Sequence, residues 1–157
     1  MVEHLFSGSA LCDVDAGGNL VLPAFVRATL DCRRAERTFL VGAHECDPCL
    51  AAYDLAYARV LHGDSERRRI LHEAGAPVAS AQRLRRIFGF SEQVGFADHG
   101  AFVLPPMMRG RARIGARALV VGVGGLFELW NPEAALEQGG NDLREIAAFH
   151  LEPRAAA

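Results

Sequence analysis

The chain has 157 residues, half of them apolar, enough for one ordinary domain or for two small halves sharing a core. A formal net charge of -2 gives no global pull toward nucleic acid or membrane, so a polyanion would have to meet a local basic patch. All 17 basic residues are Arg, which, with the many alanines, reads as the mark of a GC-rich genome rather than as a phosphate-binding signal.

The first residues, "MVEHLFSGSA", show no charged start followed by an apolar run, and no window approaches the length needed to cross a bilayer. A cytoplasmic protein without a membrane partner is expected. Next comes "LCDVDAGGNLVLP" (Leu11 to Pro23), which reads as a strand, a tight glycine turn and a second strand stopped by proline. A short helix should follow the proline. "RTFLVG" (Arg37 to Gly42) and "CLAAYD" (Cys49 to Asp54) read as two further strands, and Asp54 can cap the helix that "DLAYARVLHG" begins. The segment from Asp64 to Gly89 reads as helical pieces broken near Gly75 and Pro77. Its arginines, Arg67, Arg68 and Arg69, then Arg83, Arg85 and Arg86, are those of solvated helix faces or partners for acids such as Glu66 and Glu73.

The second half repeats the first. "ADHGAFVLPPMMR" (Ala97 to Arg109) aligns on "DAGGNLVLPAFVR" (Asp15 to Arg27), matching Gly18 with Gly100, the Val-Leu-Pro run, and Arg27 with Arg109 at a constant offset of 82 residues. An apolar run, "ARALVVGVGG", then "LFELWN" and "NPEAALEQ" complete the unit, with Asn131 as helix cap and Pro132 in the first helical position. The "VGVGG" run is followed by a strand rather than a helix, so it is no dinucleotide fingerprint. Neither half can bury its own sheet well, so the two are expected to pack as a pseudo-twofold pair around one core. The tail from Asp142 offers a last helical turn or two and then frays.

Together "LFSGSALCDVDAGGNLVLP", "VGAHECDPCLAAYD", "GAFVLPPMMR" and "GLFELWNPEAALE" resemble the MraZ proteins, bacterial regulators of the division and cell-wall gene cluster, over nearly the whole chain. The resemblance implies an α+β fold, mostly β, of two AbrB-like swapped-hairpin halves forming a double-split β-barrel with short helices. It places one half at 1–63, a helical connector at 64–87, the second half at 88–137 and a tail at 138–157. It also implies ring-shaped homo-oligomers that bind double-stranded DNA sequence-specifically at promoter repeats, through the two glycine turns, at the nucleoid. No cofactor and no small-molecule substrate are implied.

In the family each turn resembles D-x-K/S-G-R, with the Asp bracing and the Arg facing DNA. Bidentate guanidinium contacts to guanine or phosphate suit that task. Here Asp15 and Gly18 are present, but the Arg position is Asn19; in the second copy Gly100 is kept while the Asp and Arg positions are Ala97 and Ala101. The candidate DNA-binding residues are therefore Asp15, Gly18, Asn19, Arg27, His99, Gly100 and Arg109. Asn19 offers an adenine-reading amide and His99 a pH-dependent contact, while Arg27, Arg109, Arg111 and Arg113 could restore charge if they share the turns' surface. The alternative is a ring-forming or partner-binding paralogue that has lost DNA binding, since phosphate neutralisation supplies most nonspecific affinity.

Two further features have mainly structural readings. "HECDPC" (His44 to Cys49) places a His and two Cys in C-x-x-C spacing, but no second pair follows at finger-like distance, so no metal site is expected and the cysteines Cys12, Cys32, Cys46 and Cys49 read as reduced thiols. No nucleophile with a base, G-x-S-x-G or phosphate loop with Lys is present, so no enzyme is expected.

Overall fold

The computed structural model describes residues 4–71 and 77–152. The first unit runs β1 (Ser9–Asp13), β2 (Asn19–Val21), α1 (Ala24–Cys32), β3 (Thr38–Ala43), β4 (Leu50–Tyr53) and α2 (Leu55–Leu71). After α3 (Pro77–Leu84) and a π-helical turn, Arg85–Gly89, the second unit repeats the order: β5 (Ser91–Gly95), β6 (Ala101–Val103), α4 (Pro106–Ala112), β7 (Arg117–Gly122), β8 (Phe127–Trp130) and α5 (Pro132–Gln138). A last helix, α6 (Asn141–Leu151), closes the described chain.

The strands lie in two sheets and do not close a barrel. Six of them form an antiparallel sheet in the order β1-β7-β8-β4-β3-β5. Exchanging β1 with β5, β3 with β7 and β4 with β8 returns the same order reversed, which is the expected pseudo-twofold. The first strand of each unit pairs in the other: Ser9 to Asp13 face Val121 to Arg117, and Thr38 to Gly42 face Gly95 to Ser91. Neither unit can therefore keep its sheet without its partner, and the repeat folds as one body. The remaining strands form a two-stranded ribbon in which Leu20 faces Phe102.

Between ribbon and sheet lies the main core. Phe39 stands at its centre, with ring centroids 5.1 Å from Phe102, 5.6 Å from Phe127 and 5.9 Å from Phe96. Each fully buried Phe of this kind contributes roughly 1.5–3 kcal/mol of hydrophobic stabilisation. The other face of the sheet is covered too, since Leu119, Val121, Trp130 and Cys49 pack against Ala135 of α5 and Ala147 of α6. Burial on both faces explains why "RALVVG" reads as an apolar run instead of an alternation.

Pro23 and Pro105 end β2 and β6 because proline has no ladder donor, and α1 and α4 start at the next residue. Asn131 caps α5 by accepting from Glu133 N and Ala134 N, and Asp54 caps α2 by accepting from Tyr57 N at 3.0 Å. Two helices run longer than expected. α2 passes unbroken through Gly63 and Asp64, across the expected end of the first half; a Cβ on Gly63 would meet nothing within 4 Å, so no close contact requires the glycine, which costs the helix about 1 kcal/mol relative to Ala. α6 extends over 11 residues, since Leu143, Ile146 and Ala147 recur at helical spacing and dock on the second core. The break near Gly75 and the fraying tail beyond residue 152 lie outside the described residues.

Candidate nucleic-acid interface

Each glycine turn is closed by the same backbone bonds. In the first, Asp15 N donates to Asn19 O and Gly18 N to Asp15 O; in the second, Ala97 N donates to Ala101 O and Gly100 N to Ala97 O. Gly18 has φ of 86° and Gly100 of 94°, a left-handed conformation that side chains resist. Each turn also tethers the other unit's strand end, Leu104 N to Gly18 O and Leu22 N to Gly100 O, both at 2.9 Å. The two turns thus flank one three-residue ribbon.

The side chains differ. Asp15 Oδ1 accepts from Gly17 N and Asn19 N at 2.9 Å, and the Asn19 side-chain amide donates to both carboxylate oxygens at 3.0 Å. These bonds, led by the Asn19 backbone N–H and then its side chain, hold the Asp15 carboxyl below its ordinary pKa. Asp15 therefore braces Asn19, although no arginine stands there to be aimed. With one amide hydrogen shared between the two carboxylate oxygens, Asn19 keeps its side-chain oxygen and its other amide hydrogen for a base. In the second turn Asp98 pairs with Arg37 and His99 is exposed.

Arg109 does not face outward. Its Nε donates to Ile114 O at 3.0 Å, one Nη to Ala16 O at 3.1 Å and the other to Gly115 O at 3.0 Å, so it clasps the first turn from the second unit. Arg27 takes the matching place beneath the second turn, where a Cβ on Gly100 would come 2.6 Å from its Cδ. Its Nε is buried without a partner. The difference has a local cause: α4 ends at Ala112 with Arg113 left-handed at φ 54°, turning the Ile114 and Gly115 carbonyls toward Arg109. α1 runs two residues longer, to Cys32, with Arg33 right-handed after it, so the residues matching Ile114 and Gly115 keep a helical conformation.

The surface between the turns carries Asn19, Val21 and Val103, all exposed. Beside it a groove of about 510 Å³ is lined by Asp13, Asp15, Asn19, Val21 and Ala101, with acids and no cation. Arg111 and Arg113 do not join this face; they line a different pocket with Arg86.

The chain also brings together His44, Cys49 and Glu128, whose donor atoms lie within 4.8 Å of one another. Spacing within "HECDPC" pointed to Cys46 and could not show Glu128, which β8 supplies through its pairing with β4. His44 Nδ1 accepts from Cys46 N at 3.1 Å and Asp47 N at 2.9 Å, which assigns the ring proton to Nε2, 3.2 Å from Glu128 Oε2. Trp130 Nε1 donates to the other oxygen at 3.0 Å. Burial pushes the Glu128 carboxyl up, but these donors outweigh it and hold its pKa below the ordinary value. A metal at Nε2 would have to remove the proton on which this chain depends and leave neither ring nitrogen protonated. Burial pushes the Cys49 thiol up. The triad works as a hydrogen-bonded tie between β8 and the loop before β4.

Fold and turns together define a strand-exchanged, two-copy scaffold that presents paired glycine turns around one ribbon. No family model matches the chain. It is similar to the transcriptional regulator MraZ of Saccharophagus degradans, 32% identical over 131 residues that cover 83% of this chain and 84% of that protein. The MraZ regulators of Pseudomonas syringae pv. tomato and Pseudomonas aeruginosa are each 29% identical over 143 residues, 90% of this chain and of theirs. The chain belongs to the MraZ family of transcriptional regulators. Among the described residues, no helix is long and apolar enough to cross a membrane.

Proposed function

We propose that the protein is a sequence-specific DNA-binding regulator of the division and cell-wall gene cluster, acting at the nucleoid as a ring-shaped homo-oligomer. The observation that supports this reading is the β2–β6 pairing, which sets both turns against one ribbon so that a single duplex can meet both. With Arg109 committed to carbonyls, Arg27 is the cation left to approach a phosphate at the second turn. The contact is then weak per turn and gains strength from the number of subunits engaged.

A second reading, a scaffold that assembles or binds a partner without DNA, is favoured by the acid-lined groove and by the absence of arginine at Asn19 and Ala101. Titration of duplex carrying the repeats upstream of its own gene cluster, at two salt concentrations, separates the two. The regulator should bind saturably at low salt with a shallow salt slope, and Arg27→Gln should reduce that slope by about one. No binding at low salt favours the second reading. Restoring charge with Gly17→Lys, Asn19→Arg and Ala101→Arg should raise affinity if these turns are the DNA face.

A further inference from the structure

The pocket into which Arg111 and Arg113 turn lies between α4, α5, the π-helical turn and the Cys46–Pro48 loop. Its volume, about 450 Å³, is that of a small-molecule site rather than of a single ion. Three arginines line it, Arg86, Arg111 and Arg113, and none forms an ion pair among the described residues. Two carboxylates also line it. Glu133 is held by Arg117 at 3.3 Å, which leaves Glu137 as the uncommitted acid. The site thus has an excess of positive charge in a chain whose net charge is negative.

Two features preset this charge. Arg111 lies over the Phe90 ring, 4.9 Å from its centroid, which fixes the direction of its head. The Nε of Arg86, like that of Arg27, is buried with no acceptor, a donor that the protein itself leaves unmatched. Arginines without an ion-pair partner around one concave site suit oxyanions, and their planar forks match the oxygens of phosphate. A phosphate monoester carries roughly -1.5 to -2 at neutral pH, which matches two uncompensated arginines.

We propose that this pocket binds a small organic phosphate monoester, held by Arg86, Arg111 and Arg113 with its organic part against Pro48, Ala112 and Ala134. The site is distinct from the turns and does not depend on their binding DNA. In a regulator it provides a place where a phosphorylated metabolite acts on the assembled protein.

Calorimetric titration of the full chain with ribose 5-phosphate, inorganic phosphate and a short mixed-sequence duplex tests it. Saturable binding of ribose 5-phosphate is expected, weakened about tenfold or more by Arg86→Gln and by the exposed-site variant Arg113→Gln, as loss of a charge-assisted bidentate contact requires. Arg59→Gln, on exposed α2, should leave it unchanged. Inorganic phosphate should compete, more weakly. No saturable binding of ribose 5-phosphate, or binding that both pocket variants leave intact, overturns the proposal. Binding of the duplex alone, lost in the same variants, also overturns it and assigns the arginines to the DNA backbone. Unchanged thermal midpoints in the variants exclude unfolding as the cause.

Discussion

The first and second glycine turns share their backbone bonds and their left-handed glycine, yet they are held by different means. In the first, Asp15 grips Asn19 and the partner unit's Arg109 grips Ala16; in the second, Ala97 offers no brace and Arg27 finds no acceptor. The comparison shows that exchanged strands and positive-φ glycines are enough to shape the turn. Side chains can then be lost from one copy without loss of its backbone form. The same asymmetry appears at the helix caps. Asp54 joins Arg33 in a buried pair at 3.5 Å, whereas the corresponding cap of the second unit, Asn131, makes a neutral bond of 2.7 Å to Arg113 O.

The largest test of this contrast is Asp54→Asn, which makes the first cap neutral like the second. It leaves the Arg33 guanidinium buried among backbone carbonyls without its counter-charge, so stability should fall by about 3–5 kcal/mol in denaturant unfolding. Asn131→Ala should cost only about 1 kcal/mol, the worth of an ordinary cap. Equal losses would show that both halves are tied alike.

Next in size is the arginine pair. Arg109→Met removes three bonds to carbonyls and should cost about 2 kcal/mol, a figure reduced for the partial exposure of the site. Arg27→Met removes none that the structure shows and should stay within about 0.5 kcal/mol. A costly Arg27→Met would mean that the second turn has a clasp after all.

Glycine replacement should discriminate less sharply. A Cβ on Gly18 would stand 3.1 Å from the Leu104 backbone oxygen, which cannot move aside, and at positive φ Gly18→Ala should cost about 1–3 kcal/mol. Gly100→Ala meets only the Arg27 side chain, which can shift, so its cost should lie at the lower end of that range. The reverse order in thermal unfolding would place the stiffer neighbour at the second turn.

The smallest effect is electrostatic. Because the Asp15 pKa is lowered in the folded chain, the order it lends the first turn is present above the ordinary carboxylate range and is lost as pH falls through the lowered midpoint. Asn19→Ala should move the Asp15 midpoint, followed by NMR of its carboxyl carbon, back upward. An unmoved midpoint would show that the Asn19 side chain adds nothing to the backbone donors.

Much of the scaffold was legible in the sequence because it rests on local rules. Proline stops, glycine turns, the Asn131 and Asp54 caps and the repeat offset each depend on residues close in the chain. The site was less legible. Arg27 and Arg109 align perfectly between the copies, so the sequence makes them one kind of residue; their divergence depends on helices that end two residues apart relative to the repeat. The full length of α6 is not legible in the sequence because its apolar face has meaning only against the outer face of β7 and β8.

From sequence alone, then, came the family, the doubled unit and the missing turn arginines, since identity and short spacing are properties of the chain itself. Only the tertiary structure decided that Asp15 binds Asn19, that Arg109 turns inward, that Glu128 meets His44, and that Arg86 stands with Arg111 and Arg113. Each of those contacts joins side chains whose approach is set by strand exchange, turn conformation or helix packing rather than by neighbouring residues.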